Sequence, residues 1–238
     1  MSLFGALLDF IYPPRCGVCG EFISERMPIC PQCETDIHFI DHPFCVICGV
    51  PFISGADHPC GACCNKRPPF ERARAAGTYS GSLSRAIIRF KFHHKTALAK
   101  PLGKMMADTL IAELDPHEID SVMPVPLHKK RLRWRGFNQA LLLARELSAV
   151  TGLWVDPHTL RRIRYTQPQT RLRFKERGEN VKGAFDVSRE IFVRDRNILL
   201  VDDVATSGST LKECAKVLKD AGARRVEALT VARAIHDI

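Results

Sequence analysis

The 238-residue sequence predicts an α/β domain over residues 71–238, a mostly parallel sheet flanked by helices, preceded by a small cysteine-rich module over residues 1–70. Three observations predict it. Nine of the ten cysteines lie between residues 16 and 64. Beyond residue 70, continuous apolar strands alternate with amphipathic helices, the pattern of a parallel sheet covered on both faces. Between the two units, Pro68-Pro69 punctuates the chain and ends the module. An apolar fraction of 45% supplies a core for a chain of this length.

The N-terminal stretch MSLFGALLDFIYPP is apolar but has neither a basic leading region nor a small-residue cleavage site. It reads as a short amphipathic helix rather than a secretion signal. No run of about 18 apolar residues occurs, so no membrane span is expected. A cytoplasmic location follows as the expectation.

The cysteines come as Cys16/Cys19, Cys30/Cys33, Cys45/Cys48 and Cys60/Cys63, four C-x-x-C pairs at near-regular spacing. Without a secretion signal, this favours metal over disulfides. Each pair turns two thiolates towards one point, and two pairs supply the four soft ligands of a tetrahedral zinc. Eight thiolates suit two zinc ions, with no open position for catalysis. The expected role is structural, because so short a module buries little core and zinc contributes on the order of 10 kcal/mol of folding free energy. Consecutive pairing gives two stacked ribbons; nothing in the spacing vetoes a cross-brace of pairs one with three and two with four. Cys64 is an alternative to Cys63; His42 and His58 would substitute only in a degraded site and otherwise read as bystanders. A redox C-x-x-C needs a strand before it and a helix after it, and these flanks are short and rich in proline and glycine.

In the larger unit, residues 74–80 read as a strand, 82–92 as a helix with Leu83, Ile87, Ile88 and Phe90 at helical spacing, and 97–114 as a second amphipathic helix. Residues 120–126 form a short strand stopped by prolines, and 137–152 a helix with glycine at its end. Residues 197–203 are a strand, 207–223 a helix with Gly222 as its C-cap, and 225–234 a final strand.

Residues 198–211, ILLVDDVATSGSTL, place two aspartates at the end of an apolar strand. Inside a central strand each would cost several kcal/mol unless paired. At its carboxyl end they face the crevice where such sheets bind ligands. The small, hydroxyl-rich residues that follow turn into a helix, whose amides and dipole suit a phosphate. Carboxylates alone would repel a phosphate. Beside one, they argue for a sugar, a magnesium ion, or both. A Walker A sequence and a dinucleotide fingerprint are both absent, which excludes those classes. The formal charge of +9 is concentrated, since residues 128–177 carry +10 and the remainder −1. That is a patch aimed at an anion.

These residues resemble the phosphoribosyl-pyrophosphate signature of type I phosphoribosyltransferases. With VPLHKKRLRWRGFNQALLLA (125–144) and RYTQPQTRLRFKERGENVKGAF (164–185) before it, and a cysteine-rich head typical of a double zinc ribbon, the chain resembles the ComF family. The resemblance implies the type I phosphoribosyltransferase fold. It implies that Asp202 and Asp203 contact the ribose hydroxyls, directly or through Mg2+, and that Ala205, Thr206, Ser207, Gly208, Ser209 and Thr210 hold the 5-phosphate. Many relatives have threonine where this chain has Ala205, a side chain that a backbone cradle does not need. Residues 128–136 then resemble a mobile pyrophosphate loop, in which Lys129, Lys130, Arg131, Arg133 and Arg135 cancel charge on the leaving group and Gly136 is a hinge. A homodimer follows, because type I relatives lend such a loop across a dimer. Displacement at the anomeric carbon would pass through an oxocarbenium-like state, with electrostatic stabilisation of pyrophosphate as the main protein contribution. No residue stands out as a general base, and the acceptor has no recognisable signature.

The segment 161–177 has helical potential after Leu172 and covers the active site in this reading, with Gln167, Gln169, Arg171 and Arg177 towards the acceptor. A solvated basic face is the plain alternative. The rival function is a single-stranded DNA-binding competence factor with a vestigial or regulatory phosphoribosyl-pyrophosphate site. Trp134 and Phe137 among arginines suit base stacking, and ComF relatives are linked to DNA uptake.

Overall fold

A computed structural model describes residues 13–23, 27–166 and 176–235, with residue 177 described by its backbone alone. The helix expected at the N-terminus lies outside the described residues, save for its two closing prolines. Gln167, Gln169 and Arg171 also lie outside them.

Two short helices, α1 (Pro31–Thr35) and α2 (Gly61–Asn65), each follow the first cysteine of a C-x-x-C pair. The remainder alternates as predicted: β1 (Ala73–Thr78), α3 (Gly81–Phe92), α4 (Ala99–Glu113), β2 (Ser121–Pro124), α5 (Lys129–Arg135), α6 (Gln139–Thr151), β3 (Leu160–Arg162), α7 (Glu176–Val181), β4 (Phe185–Val187), β5 (Asn197–Ala205), α8 (Ser209–Asp220) and β6 (Arg225–Arg233). The strands β1-β6-β5-β2 form one sheet in that order, parallel throughout, so β5 and β6 are central. β3 and β4 pair antiparallel as a separate ribbon.

Side chains alternate across a strand, and β5 uses both faces. Leu199 and Val201 pack with α3, α4 and α6, whereas Ile198 and Leu200 pack with α8. Both layers are tight: Phe90, Leu102, Leu143, Leu199 and Leu218 are all 0% exposed. The cysteine module joins both layers, Cys16, Cys30 and Cys33 on one face and Cys45, Cys48 and Cys63 on the other.

The module straddles the free edge of β1. Thr78 N donates to His38 O at 2.8 Å, Ile40 N to Ala76 O at 3.1 Å, and Ala73 N to Ile47 O at 2.7 Å. Phe39 and Gly77 form an antiparallel bridge. The chain comes so close that a Cβ on Gly77 would stand 2.7 Å from His38 O, and one on Gly49 2.5 Å from Ala73 O.

One expectation changes. The basic stretch after β2 is the helix α5 rather than an open loop. His128 caps its start by accepting from Lys130 N at 3.2 Å, and Gly136 ends it at φ 81°. Arginine, lysine, leucine and tryptophan carry no β-branch or helix breaker, so a capped run of them closes into helix. The segment around 176–181 is helical, in line with its pattern.

Candidate functional site

The eight expected cysteines form two groups, Cys16/Cys19/Cys30/Cys33 and Cys45/Cys48/Cys60/Cys63, each with all sulfurs within 4.8 Å of one another. Consecutive pairing is the arrangement present. Four thiolates about 2.3 Å from one ion stand about 3.8 Å apart in a tetrahedron. The Cys19–Cys30 and Cys48–Cys60 sulfurs are each 3.8 Å apart. The residues fit zinc, and the two sites are structural zinc sites of the ribbon type. Cys64 is exposed, its thiol donating to Pro59 O at 3.6 Å, and His58 binds Ala56 O at 2.8 Å, so neither joins a cluster. His42 instead bridges Asp57 at 2.6 Å and Glu113 at 3.3 Å.

Backbone amides aim at the leading sulfur of each cluster. Val18 N and Cys30 N donate to Cys16 Sγ, and Cys48 N and Cys60 N to Cys45 Sγ. Burial would raise both thiols, but these amides outweigh it and hold Cys16 near 6 and Cys45 near 7. The second cluster is also tied to the sheet. Arg233, the last residue of β6, donates to Cys48 O at 2.7 Å and to Cys48 Sγ at 3.5 Å.

The aspartate pair stands near the carboxyl end of β5. Asp203 is 3% exposed, and its Oδ1 is 2.8 Å from Lys91 Nζ in the last turn of α3. Its Oδ2 is buried with no partner among the described residues. Asp202 is half-buried and accepts from Asp203 N at 2.9 Å. Burial, and then the charge of Asp203, push the Asp202 carboxyl up to about 7, against the pull of Lys91 and Arg162.

Beyond Ala205 the chain turns through Thr206, Ser207 and Gly208 into α8. Gly208 has φ 69°, the left-handed region open to glycine. The Ser207 and Ser209 hydroxyls bond each other at 2.7 Å, and Ser207 Oγ also accepts from Ser209 N, the first amide of α8, at 3.4 Å. Helix α7 lies alongside, where a Cβ on Gly178 would come 3.9 Å from Ser209 Oγ.

Of the predicted basic residues, Arg135 is the one buried beside the carboxylates. It is 7% exposed and donates to Gln139 Oε1 at 2.7 Å, and its guanidinium lies 5.2 Å above the Phe92 ring. Burial depresses its pKa, and the nearby Asp203 and Asp202 charges offset part of that. Its Nε has no partner among the described residues. Arg131 is half-buried, with Nη2 3.5 Å from Thr166 O. Lys129, Lys130 and Arg133 are exposed. Trp134 is 69% exposed, whereas Phe137 turns inward against Phe90 at 5.7 Å.

Two contributors were not foreseen. Lys91 is one. Arg162 of β3 is the other: it packs over Phe185 at 5.1 Å, bonds Thr166 Oγ1 and keeps a buried, unpartnered Nε among the described residues. Burial and then Arg131 lower its pKa, while Asp202 raises it. Arg135 and Arg162 thus share the space of the two carboxylates, with Arg131 beside both guanidiniums.

Residues 7–64 match the family of double zinc ribbon domains, and residues 135–238 that of phosphoribosyl transferase domains. The chain is 31% identical to the DNA utilization protein YhgH of Salmonella typhi, over 92% of this chain and 90% of that one. It is 33% identical to competence protein F of Haemophilus influenzae, covering 92% and 97%. It is 27% identical to competence protein ComFC of Bacillus subtilis, covering 86% and 84%. Likeness to solved structures is weaker. The glutamine phosphoribosylpyrophosphate amidotransferase from B. subtilis matches 57% of this chain and 26% of its own length at 22% identity, with a TM-score of 0.39, a level that assigns neither fold nor activity. The order of modules, the two four-cysteine sites and the end-to-end similarity to competence protein F agree, and the chain belongs to the ComF family: a double zinc ribbon followed by a domain of the phosphoribosyltransferase type.

Proposed function

We propose that this protein binds phosphoribosyl pyrophosphate with Mg2+ and transfers its phosphoribosyl group to an acceptor, in the service of DNA utilisation or uptake. The observation that carries the reading is the Asp202–Asp203 pair on β5 leading into the small, hydroxyl-rich turn before α8. Asp202 and Asp203 would take the ribose hydroxyls. Residues 205–210 would take the 5-phosphate on backbone amides and the helix dipole. Arg131 and Arg135, with Arg162, would face the pyrophosphate; Lys129, Lys130 and Arg133 are exposed to meet it on entry.

The half-buried Asp202 carboxyl is a hard oxygen donor of the kind that Mg2+ takes. When bound with pyrophosphate, the ion would neutralise part of the leaving group's charge. In the transfer, the bond from the anomeric carbon to pyrophosphate oxygen breaks and one to the acceptor forms. The guanidiniums stabilise charge developing on the departing oxygen. The same reading includes a homodimer and a cytoplasmic location. No helix among the described residues is long and apolar enough to cross a membrane.

Titration calorimetry tests it. Phosphoribosyl pyrophosphate should bind in Mg2+, and binding should fall at least about tenfold in Asp202→Asn plus Asp203→Asn. Ser209→Glu, which puts a like charge in the phosphate turn, should abolish binding with the fold intact by circular dichroism. Undiminished affinity in both variants sinks the reading.

A second reading, single-stranded DNA binding, is favoured by the exposed Trp134 on the same helix as the exposed Lys129, Lys130 and Arg133. Stacking on an aromatic beside cations suits unpaired bases. Affinity against salt would then slope at about −0.7 per phosphate contact. A flat dependence excludes it.

A further inference from the structure

Lys91 belongs to neither the phosphate turn nor the basic helix, yet it pairs with Asp203 at 2.8 Å, with the side chains 19% and 5% exposed. Its placement is set from the far end of α3. Ser82 donates through N and Oγ to Asp36 Oδ2 at 2.9 and 2.8 Å, and Arg85 reaches the same oxygen at 3.0 Å, which fastens the helix start to the first ribbon. Leu83, Ile87 and Phe90, all 0% exposed, fix the rotation of the helix about its axis. Lys91 follows Phe90, so its direction is decided by core packing rather than by solvent.

The consequence for Asp203 is asymmetric. A carboxylate has two equivalent oxygens and rotates about its last bond unless something holds it. Here Oδ1 is taken by Lys91, and Oδ2 is buried with no partner among the described residues. A free carboxylate attracts any cation or hydroxyl nearby. One tied at a single oxygen presents one acceptor in one direction, which is what discrimination between hydroxyls requires. A buried acceptor left unpaired by the wrong ligand is the physical basis of such discrimination.

We propose that Lys91 is a positioning residue: by tying one oxygen of Asp203 it leaves the other as a directed acceptor for a ribose hydroxyl, and so sets the site's preference for ribose phosphates over their deoxy analogues. This deepens the function proposed above and rests on Asp203 reading the sugar. The groups that share this space are Asp202 of β5, Arg135 of α5, Arg162 of β3 and Cys214 of α8. Among the described residues, Lys91 is the ion-pair partner of Asp203 Oδ1.

Binding of ribose 5-phosphate, 2-deoxyribose 5-phosphate and 3-deoxyribose 5-phosphate, measured on the full chain with zinc and Mg2+, tests the proposal. The wild type should prefer ribose 5-phosphate over at least one deoxy analogue by about tenfold or more. Lys91→Met should bring that preference to within about threefold while leaving affinity for the deoxy analogue unchanged, and Lys91→Arg should restore most of it. In an Asp203→Asn background, Lys91→Met should remove nothing further. Should Lys91→Met fail to fold, Lys91→Gln keeps the aliphatic stem, cannot reach Oδ1, and should still lose most of the preference. Equal losses for all three sugars would make Lys91 a phosphate contact and overturn the proposal, as would full preference in Lys91→Met or Lys91→Gln. A wild type that binds no sugar phosphate, or binds all three alike, refutes instead the reading of the Asp pair.

Discussion

The two cysteine clusters have the same ligand set and nearly the same spacing, yet they are held differently. In the first, Cys19 is exposed, and the module is fastened through side chains, Asp36 to Ser82 and Arg85 at the start of α3. In the second, Cys45 and Cys48 are 0% and 8% exposed, and the fastening is to the sheet itself, through Ile47 O to β1 and through Arg233 of β6 to Cys48. The difference teaches that a metal site's ligands say little about what the metal supports. The first cluster steadies the helix that carries Lys91. The second steadies the carboxyl ends of β5 and β6 beside the turn into α8, since Arg233 sits in register with Ala205.

The strongest way to break that contrast is to remove one ligand from each side. Cys48→Ser should lose one zinc of two and lower the thermal midpoint by on the order of 10 °C, whereas Cys19→Ser, at an exposed position, should lower it by less than half as much; zinc content and calorimetry measure both. Next comes Gly49→Ala. Its φ of 68° and a Cβ 2.5 Å from Ala73 O make the substitution both strained and clashing. It should cost about 2–4 kcal/mol in a denaturant titration, and Gly77→Ala somewhat less, since only the clash applies. Arg233→Met removes the guanidinium from Cys48 Sγ and should speed zinc release from the second cluster alone by about 10–100-fold, read with a chromogenic chelator.

The smallest effect is a pH dependence that belongs to the second cluster's side. The hydrogen bond to Asp57, and then the Asp57 and Glu113 charges, raise the pKa of His42. A raised histidine stabilises fully below its unfolded value of about 6.5 and loses that contribution as pH rises through the folded value. His42→Gln should therefore lower the denaturation midpoint at pH 6 and leave it unchanged at pH 9.

What was legible in the sequence divides along a physical line. The cysteine pairs, the strand–turn–helix at 197–220 and the alternation of elements are local patterns, and each is present. Consecutive zinc pairing was open between two arrangements until the structure brought the pairs together. Lys91 carries no local signal, because its partner Asp203 lies on a strand far along the chain and no spacing rule links them. Arg162 was hidden within a charge run for the same reason. The β3–β4 pair is three residues a side, too short to show a period. The basic stretch 129–135 reads as a loop in sequence because its charge outweighs its helix propensity, yet it folds as α5.

The run from His38 to Ile47 has a further meaning once β1 is seen as the border of the sheet. An uncovered border strand is a template on which a second chain can lay its own backbone. Here the template is already filled, by a segment whose two ends are each held by a thiolate cluster. Loss of zinc would then do more than loosen a small module. It would unveil a strand with unpaired amides, and metal scarcity would register in the cell as a failure of solubility before it registered as a failure of chemistry.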